Sequence, residues 1–205
     1  MTALIIIDIQ NDFLPGGALA VPEGDLIIPT INALIPAYDL VVATQDWHPA
    51  DHGSFATTPH KVGDCIDLHG LPQTLWPTHC VQGTVGAEFA ETLDLGAIDA
   101  VVQKGTDPTV DSYSGFFDNG QRQATGLHEY LQNHQITAVH IVGVATDYCV
   151  KFTALDALRL GYQTTILTDA CRGVDLHPGD TTTALKEIHN AGGQILPNIE
   201  PAGVT

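Results

Sequence analysis

The chain has 205 residues, a length that predicts one domain over 1–205. Apolar residues at 44% and charged residues at 15% exclude intrinsic disorder. Seven basic residues against 24 acidic ones give a net charge of −17, which repels phosphate backbones and anionic bilayers and so excludes nucleic-acid and membrane-surface roles.

Residues 3–7 form a wholly apolar run that predicts a strand and stops at Asp8. A helix is predicted over 25–37. A second apolar strand, 40–44, leads to Asp46. The stretch 45–86 is rich in His, Pro, Gly and Thr with little periodicity, and it predicts a long loop of the kind that usually carries function. A third strand, 100–103, stops at Lys104. In the helix predicted over 125–134, Leu127, Tyr130 and Leu131 fall at 3–4 spacing. The strand 138–142 is followed by a helix over 148–160, where Val150, Ala154, Leu155 and Leu158 make the apolar stripe and Gly161 ends it. A strand at 164–167, a helix at 178–191 and a strand at 194–196 complete the series. Strands apolar on both faces, alternating with helices, imply right-handed crossovers. The fold class is α/β: three layers, α/β/α, around a six-stranded, mostly parallel sheet with helices on both faces.

No apolar run approaches the roughly 20 residues a membrane span needs. The first residues lack the basic n-region of a signal peptide. The cysteines at 65, 80, 149 and 171 show no C-x-x-C spacing, and a chain of this size needs no disulfide framework. These features predict a soluble cytoplasmic protein.

In open parallel sheets ligands bind beyond the carboxyl ends of the strands. Asp8, Asp46 and Lys104 follow strand ends, and Cys149 opens a helix after one, so they are expected on a common rim. At a helix N-terminus near Lys104 the Cys149 thiol should be lowered toward thiolate, with a carboxylate such as Asp8 to move its proton. A cysteine there also serves as an ordinary small core residue. Asp46 and His48, two apart on extended chain, point the same way. His48, His52, His60, His69 and His79 are five of the ten histidines. Carboxylate and imidazole together suit zinc, iron or manganese. A polar loop with chance histidines fits the same composition. Trp47 and Trp76 flank these residues and either pack in the core or wall a flat-ring pocket. Asp169 is expected to brace a loop.

Five motifs stand in order along the chain: I-I-D-x-Q-N-D-F at 6–13, T-Q-D-W-H-P at 44–49, W-P-x-H-C at 76–80, D-S-Y-S-G-F at 111–116 and G-V-A-T-D-Y-C-V at 143–150. Together they resemble the nicotinamidases, also called pyrazinamidases, of the isochorismatase-like (cysteine hydrolase) superfamily. The resemblance implies a catalytic triad of Asp8, Lys104 and Cys149. It also implies one divalent metal, zinc before iron or manganese, on Asp46, His48 and His79. The implied oxyanion hole is the N–H groups of Ala145 and Cys149, beside a cis peptide at Val144–Ala145. The ring pocket would be lined by Phe13, Trp76, Tyr113 and Tyr148. His52 is the nearest candidate for a further ligand. The implied reaction is deamidation of nicotinamide, and of pyrazinamide, through a thioester in NAD salvage. The expected partners are these small molecules, with a homo-oligomer compatible. Vinyl-ether hydrolysis on the same fold does not use this cysteine, a related carbamoyl-group amidase would keep the triad without the metal set, and a non-catalytic binding protein would not need all three triad members.

Overall fold

The structure, a computed structural model, describes residues 1–198; the end of the expected 1–205 domain, residues 199–205, lies outside the described residues. The strands are β1 (Thr2–Ile7), β2 (Val41–Asp46), β3 (Cys65–Leu68), β4 (Leu71–Thr74), β5 (Ala100–Lys104), β6 (Ala138–Val144), β7 (Gln163–Arg172) and β8 (Gln194–Leu196). The α-helices are α1 (Ile28–Leu34), α2 (Leu127–Asn133), α3 (Lys151–Arg159) and α4 (Asp180–Asn190).

Six strands form one sheet in the order β5-β2-β1-β6-β7-β8, with every neighbouring pair parallel. Successive side chains of β1 go to opposite faces, and each face has its own core. Leu4 and Ile6 pack with Ile28 and Ile31 of α1. Ala3, Ile5 and Ile7 pack with Leu131 of α2, Ala154 of α3 and Ile188 of α4. The three-layer α/β/α expectation is met. The order of winding reverses between β1 and β6, and such a switch point opens a crevice at the carboxyl ends of the strands.

Two local features depart from the sequence expectation. The helix predicted over 25–37 is a 3₁₀ turn, then α1, then a second 3₁₀ turn at Ile35–Ala37. Pro29 and Pro36 lack the N–H that would carry the ladder across each junction. Inside the loop predicted at 45–86, β3 and β4 form an antiparallel hairpin. Among the described residues no helix is long and apolar enough to cross a membrane.

Candidate active site

Sheet register brings the first charged pair together. Asp46 and Lys104 are directly paired residues of β2 and β5, and Lys104 Nζ lies 2.6 Å from Asp46 Oδ1. Strand β2 runs past the predicted end to Asp46 because its pairing with β5 continues through Gln45–Gln103 and Asp46–Lys104, and on its other side the buried Gln10 side chain takes the place of a strand neighbour. Its amide donates to Asp46 O and accepts from Asp46 N, each at 2.8 Å. Asp8 follows β1 in a left-handed conformation, φ 53°, which an aspartate tolerates better than most residues. Its Oδ2 lies 2.9 Å from Lys104 Nζ, and its Oδ1 accepts from Thr44 Oγ1 at 2.6 Å.

After β6 the Val144–Ala145 peptide is cis, and a wide π-type turn, Thr146–Val150, carries the chain into α3. Cys149 sits in this turn with Sγ 3.5 Å from Lys104 Nζ. Asp8, Lys104 and Cys149 therefore meet, all buried. Burial disfavours the charged form of Lys104, but Asp46 and Asp8 outweigh it and hold the amine well above its ordinary pKa. Burial raises Asp8 despite Lys104. The Cys149 thiol differs from the sequence expectation. Burial pushes it well above its ordinary value, and the carboxylates of Asp8 and Asp46 add to that against Lys104.

The second group lies beside the first. His48 N donates to Cys80 O at 3.0 Å and His48 O accepts from Gln82 N at 2.9 Å, so the 79–82 segment runs alongside Asp46–His48 and delivers His79. Asp46 Oδ2 is 3.4 Å from His48 Nε2 and 3.7 Å from His79 Nε2. His48 Nδ1 donates to Gly105 O at 2.8 Å and His79 Nδ1 to Pro77 O at 2.7 Å, which turns each Nε2 toward Asp46. Gly105 is fixed by two demands. Its φ is +65°, and a Cβ there would stand 2.4 Å from the His48 ring.

These residues fit a metal ion. One donor atom from each of Asp46, His48 and His79 lies within 4.8 Å of the others, all three residues are buried, and His48 Nε2 has no hydrogen-bond partner. Backbone carbonyls on the opposite nitrogens are the usual support of metal-bound imidazoles. Burial opposes charge on His48, yet Asp46 overrides it and takes its pKa up to about 9; a metal cation answers the same field as that proton. The His52 ring lies 4.2 Å from that of His48, tilted by 39°, and its Nε2 is also buried and unpartnered. Its donor groups with those of His48 and Asp111 rather than with Asp46. His60 and His69 are exposed and take no part.

A cavity lies against both groups, lined by Phe13, Trp76, Tyr113, Ala145, Tyr148 and Cys149 together with Asp46 and His79. Trp76 meets Tyr148 edge-on at 4.8 Å, and Trp76 Nε1 donates to Tyr113 Oη at 3.1 Å. Trp47 instead packs against the core. Asp169 is exposed within β7 rather than in a loop. Sequence reasoning gave no role to Asp111 and Val174, which also line the cavity. Asp111 opens the D-S-Y-S-G-F motif, so its signal was present; Val174 lies outside every motif.

The sequence matches the Isochorismatase domain over residues 2–199. The chain belongs to the isochorismatase family. Within it, the chain is 51% identical over 201 residues to a nicotinamidase of Escherichia coli, covering 94% of this chain and 93% of that protein. It superposes with a TM-score of 0.91 on the yeast nicotinamidase bound to the inhibitor nicotinaldehyde, at 32% identity over 96% of this chain and 99% of that one. It superposes with a TM-score of 0.78 on the pyrazinamidase of Pyrococcus horikoshii in complex with zinc, at 41% identity over 95% and 98% of the two chains.

Proposed function

We propose that this isochorismatase-family protein is a nicotinamidase that hydrolyses nicotinamide to nicotinate and ammonia, and accepts pyrazinamide, with Cys149 as nucleophile. The observation that carries the reading is the junction of Asp8, Lys104 and Cys149 at one wall of an aromatic cavity. The nicotinamidase and pyrazinamidase relatives support the substrate class.

The amide group stands at Cys149 and the ring lies among Phe13, Trp76, Tyr113 and Tyr148. Asp8 takes the thiol proton as sulfur attacks the amide carbon. Lys104 keeps its charge beside both groups and offsets the negative charge that passes between them. The C–S bond forms as the carbonyl π pair moves to oxygen, and the N–H groups of Ala145 and Cys149 hold that oxyanion. Asp8 gives its proton to the amide nitrogen, the C–N bond breaks, ammonia leaves and a thioester remains. Asp8 then draws a proton from water as the hydroxyl adds to the thioester carbon, and the C–S bond breaks as Asp8 returns that proton to sulfur, restoring the thiol and releasing nicotinic acid, which ionises to nicotinate. Asp46, His48 and His79 would hold one divalent ion, zinc in this reading with iron and manganese suited to the same donors, which supplies a Lewis-acid anchor for the ring nitrogen. We read residues 1–205 as one domain that works on small molecules in the cytoplasm and feeds nicotinate to NAD salvage.

Acid quenching of the enzyme during turnover of nicotinamide, followed by peptide mass mapping, tests the mechanism. A nicotinoyl adduct on the peptide carrying Cys149 is expected. An adduct on another residue would contradict the assignment of the nucleophile.

A further inference from the structure

Val174 belongs to a strap, residues 173–175, that follows β7 and brings Val174 into the cavity lining together with Cys149, Trp76 and His79. The strap is not held by sheet pairing. Asp147, only 4% exposed, sits two residues before Cys149 in the nucleophile's own turn. Its Oδ1 accepts from Val174 N at 2.9 Å and its Oδ2 from Asp175 N at 2.8 Å. Hydrogen bonds to a carboxylate are about twice as strong as neutral ones, so two of them from consecutive residues fix both position and orientation. On its far side the strap is tied to α4, because Asp175 accepts from Thr181 N at 2.8 Å and from Thr181 Oγ1 at 3.0 Å. Gly173 makes the close fit possible: a Cβ there would stand 1.9 Å from Thr181 Oγ1 and 3.1 Å from Asp147 Oδ1.

One short turn therefore carries the attacking sulfur and, through a single carboxylate, holds a second piece of the same cavity's wall. We infer that Asp147 is a positioning residue which sets the distance between Cys149 and the Val174 wall and thereby limits the size of ring amide the enzyme accepts. The inference rests on the nicotinamidase reading and deepens it toward specificity. Asp147 touches no reacting atom. Its effect passes through the backbone of Val174 and Asp175.

The test compares kcat and KM for nicotinamide and for 5-methylnicotinamide, a ring one methyl larger, in the wild type, Asp147→Asn and Val174→Ala. An asparagine can accept only one of the two N–H groups and turns its own NH₂ against the other. Asp147→Asn should raise KM for nicotinamide about tenfold, the worth of one charge-assisted bond, with kcat within about threefold. It should also raise the relative kcat/KM for the methylated ring. Val174→Ala should shift the same ratio the same way, and the double variant should shift it by less than the two effects combined. A purely structural role would lower Tm and leave the ratio fixed. Should Asp147→Asn fail to fold, Gly173→Ala, which pushes the strap off Thr181 and Asp147, must change the ratio. An unchanged ratio in an active, folded variant overturns this inference alone. Absence of ammonia release by the wild type overturns the nicotinamidase reading and this inference with it.

Discussion

The ammonium of Lys104 lies 2.6 Å from the Asp46 carboxylate, and this contact joins the sulfur chemistry to the candidate metal donors. The same nitrogen reaches Asp8 and Cys149, so a residue placed by β5 register serves both halves of the site.

Lys104→Met should therefore be costly in two ways. It leaves the buried Asp8 carboxylate without its cation and takes away the ammonium that Asp46 shares with it. Removing one partner of a buried ion pair costs about 3–5 kcal/mol, and two carboxylates share this one. Urea unfolding should show an unfolding free energy lowered by that order, seen as a lower midpoint at an unchanged slope, and nicotinamide turnover should be lost.

Removal of the ion is expected to act locally. Purified protein should carry close to one equivalent of divalent metal, and dialysis against a chelator should reduce activity. Amide exchange should quicken in the 48–82 region, where the donors and the β3–β4 hairpin lie, while β1 stays protected. Hairpin and site are coupled because Gln73 of β4 donates to Asp111 Oδ2 at 3.0 Å and to Tyr113 Oη at 3.1 Å. Full activity in a metal-free preparation would contradict the donor assignment.

A pH effect on stability should come from outside the site. Tyr38 Oη and His140 Nδ1 are 2.7 Å apart, and burial lowers the His140 pKa below its ordinary 6.5. A base with a depressed folded pKa contributes stability that is present above the unfolded value and lost as pH falls through the folded one. Wild type should thus lose more stability than His140→Gln between pH 7 and pH 5. Urea midpoints at the two pH values measure this, and equal losses would contradict it.

The central strands β1, β2 and β6 were legible because both of their faces are covered, so each reads as a largely apolar run. The partly exposed edge strands β5 and β8 stood out only as shorter apolar stretches. The β3–β4 hairpin was not legible. Its strands are short, largely exposed and interrupted by Pro72, and it is held by partners distant in sequence. Asp8, Lys104 and Cys149 stood out as charged or reactive residues following apolar runs. Gln10 and Asp147 lie inside the motifs but were given no role, because a side chain that holds another segment's backbone shows that work only in the folded chain. The histidine count pointed to the right region but overstated the site, since His60 and His69 are exposed. The direction in which Cys149 is shifted was missed for a related reason. Sequence position gave the turn and the nearby lysine, whereas the burial that raises the thiol is a property of the folded chain.

The central claim, that Cys149 attacks a ring amide, is tested most directly by ammonia release from nicotinamide, measured side by side for the wild type and Cys149→Ala. The wild type should release ammonia steadily. The variant, with its cavity and donors intact, should release none above background while still binding nicotinate in a calorimetric titration. Turnover by Cys149→Ala comparable with that of the wild type would contradict the account.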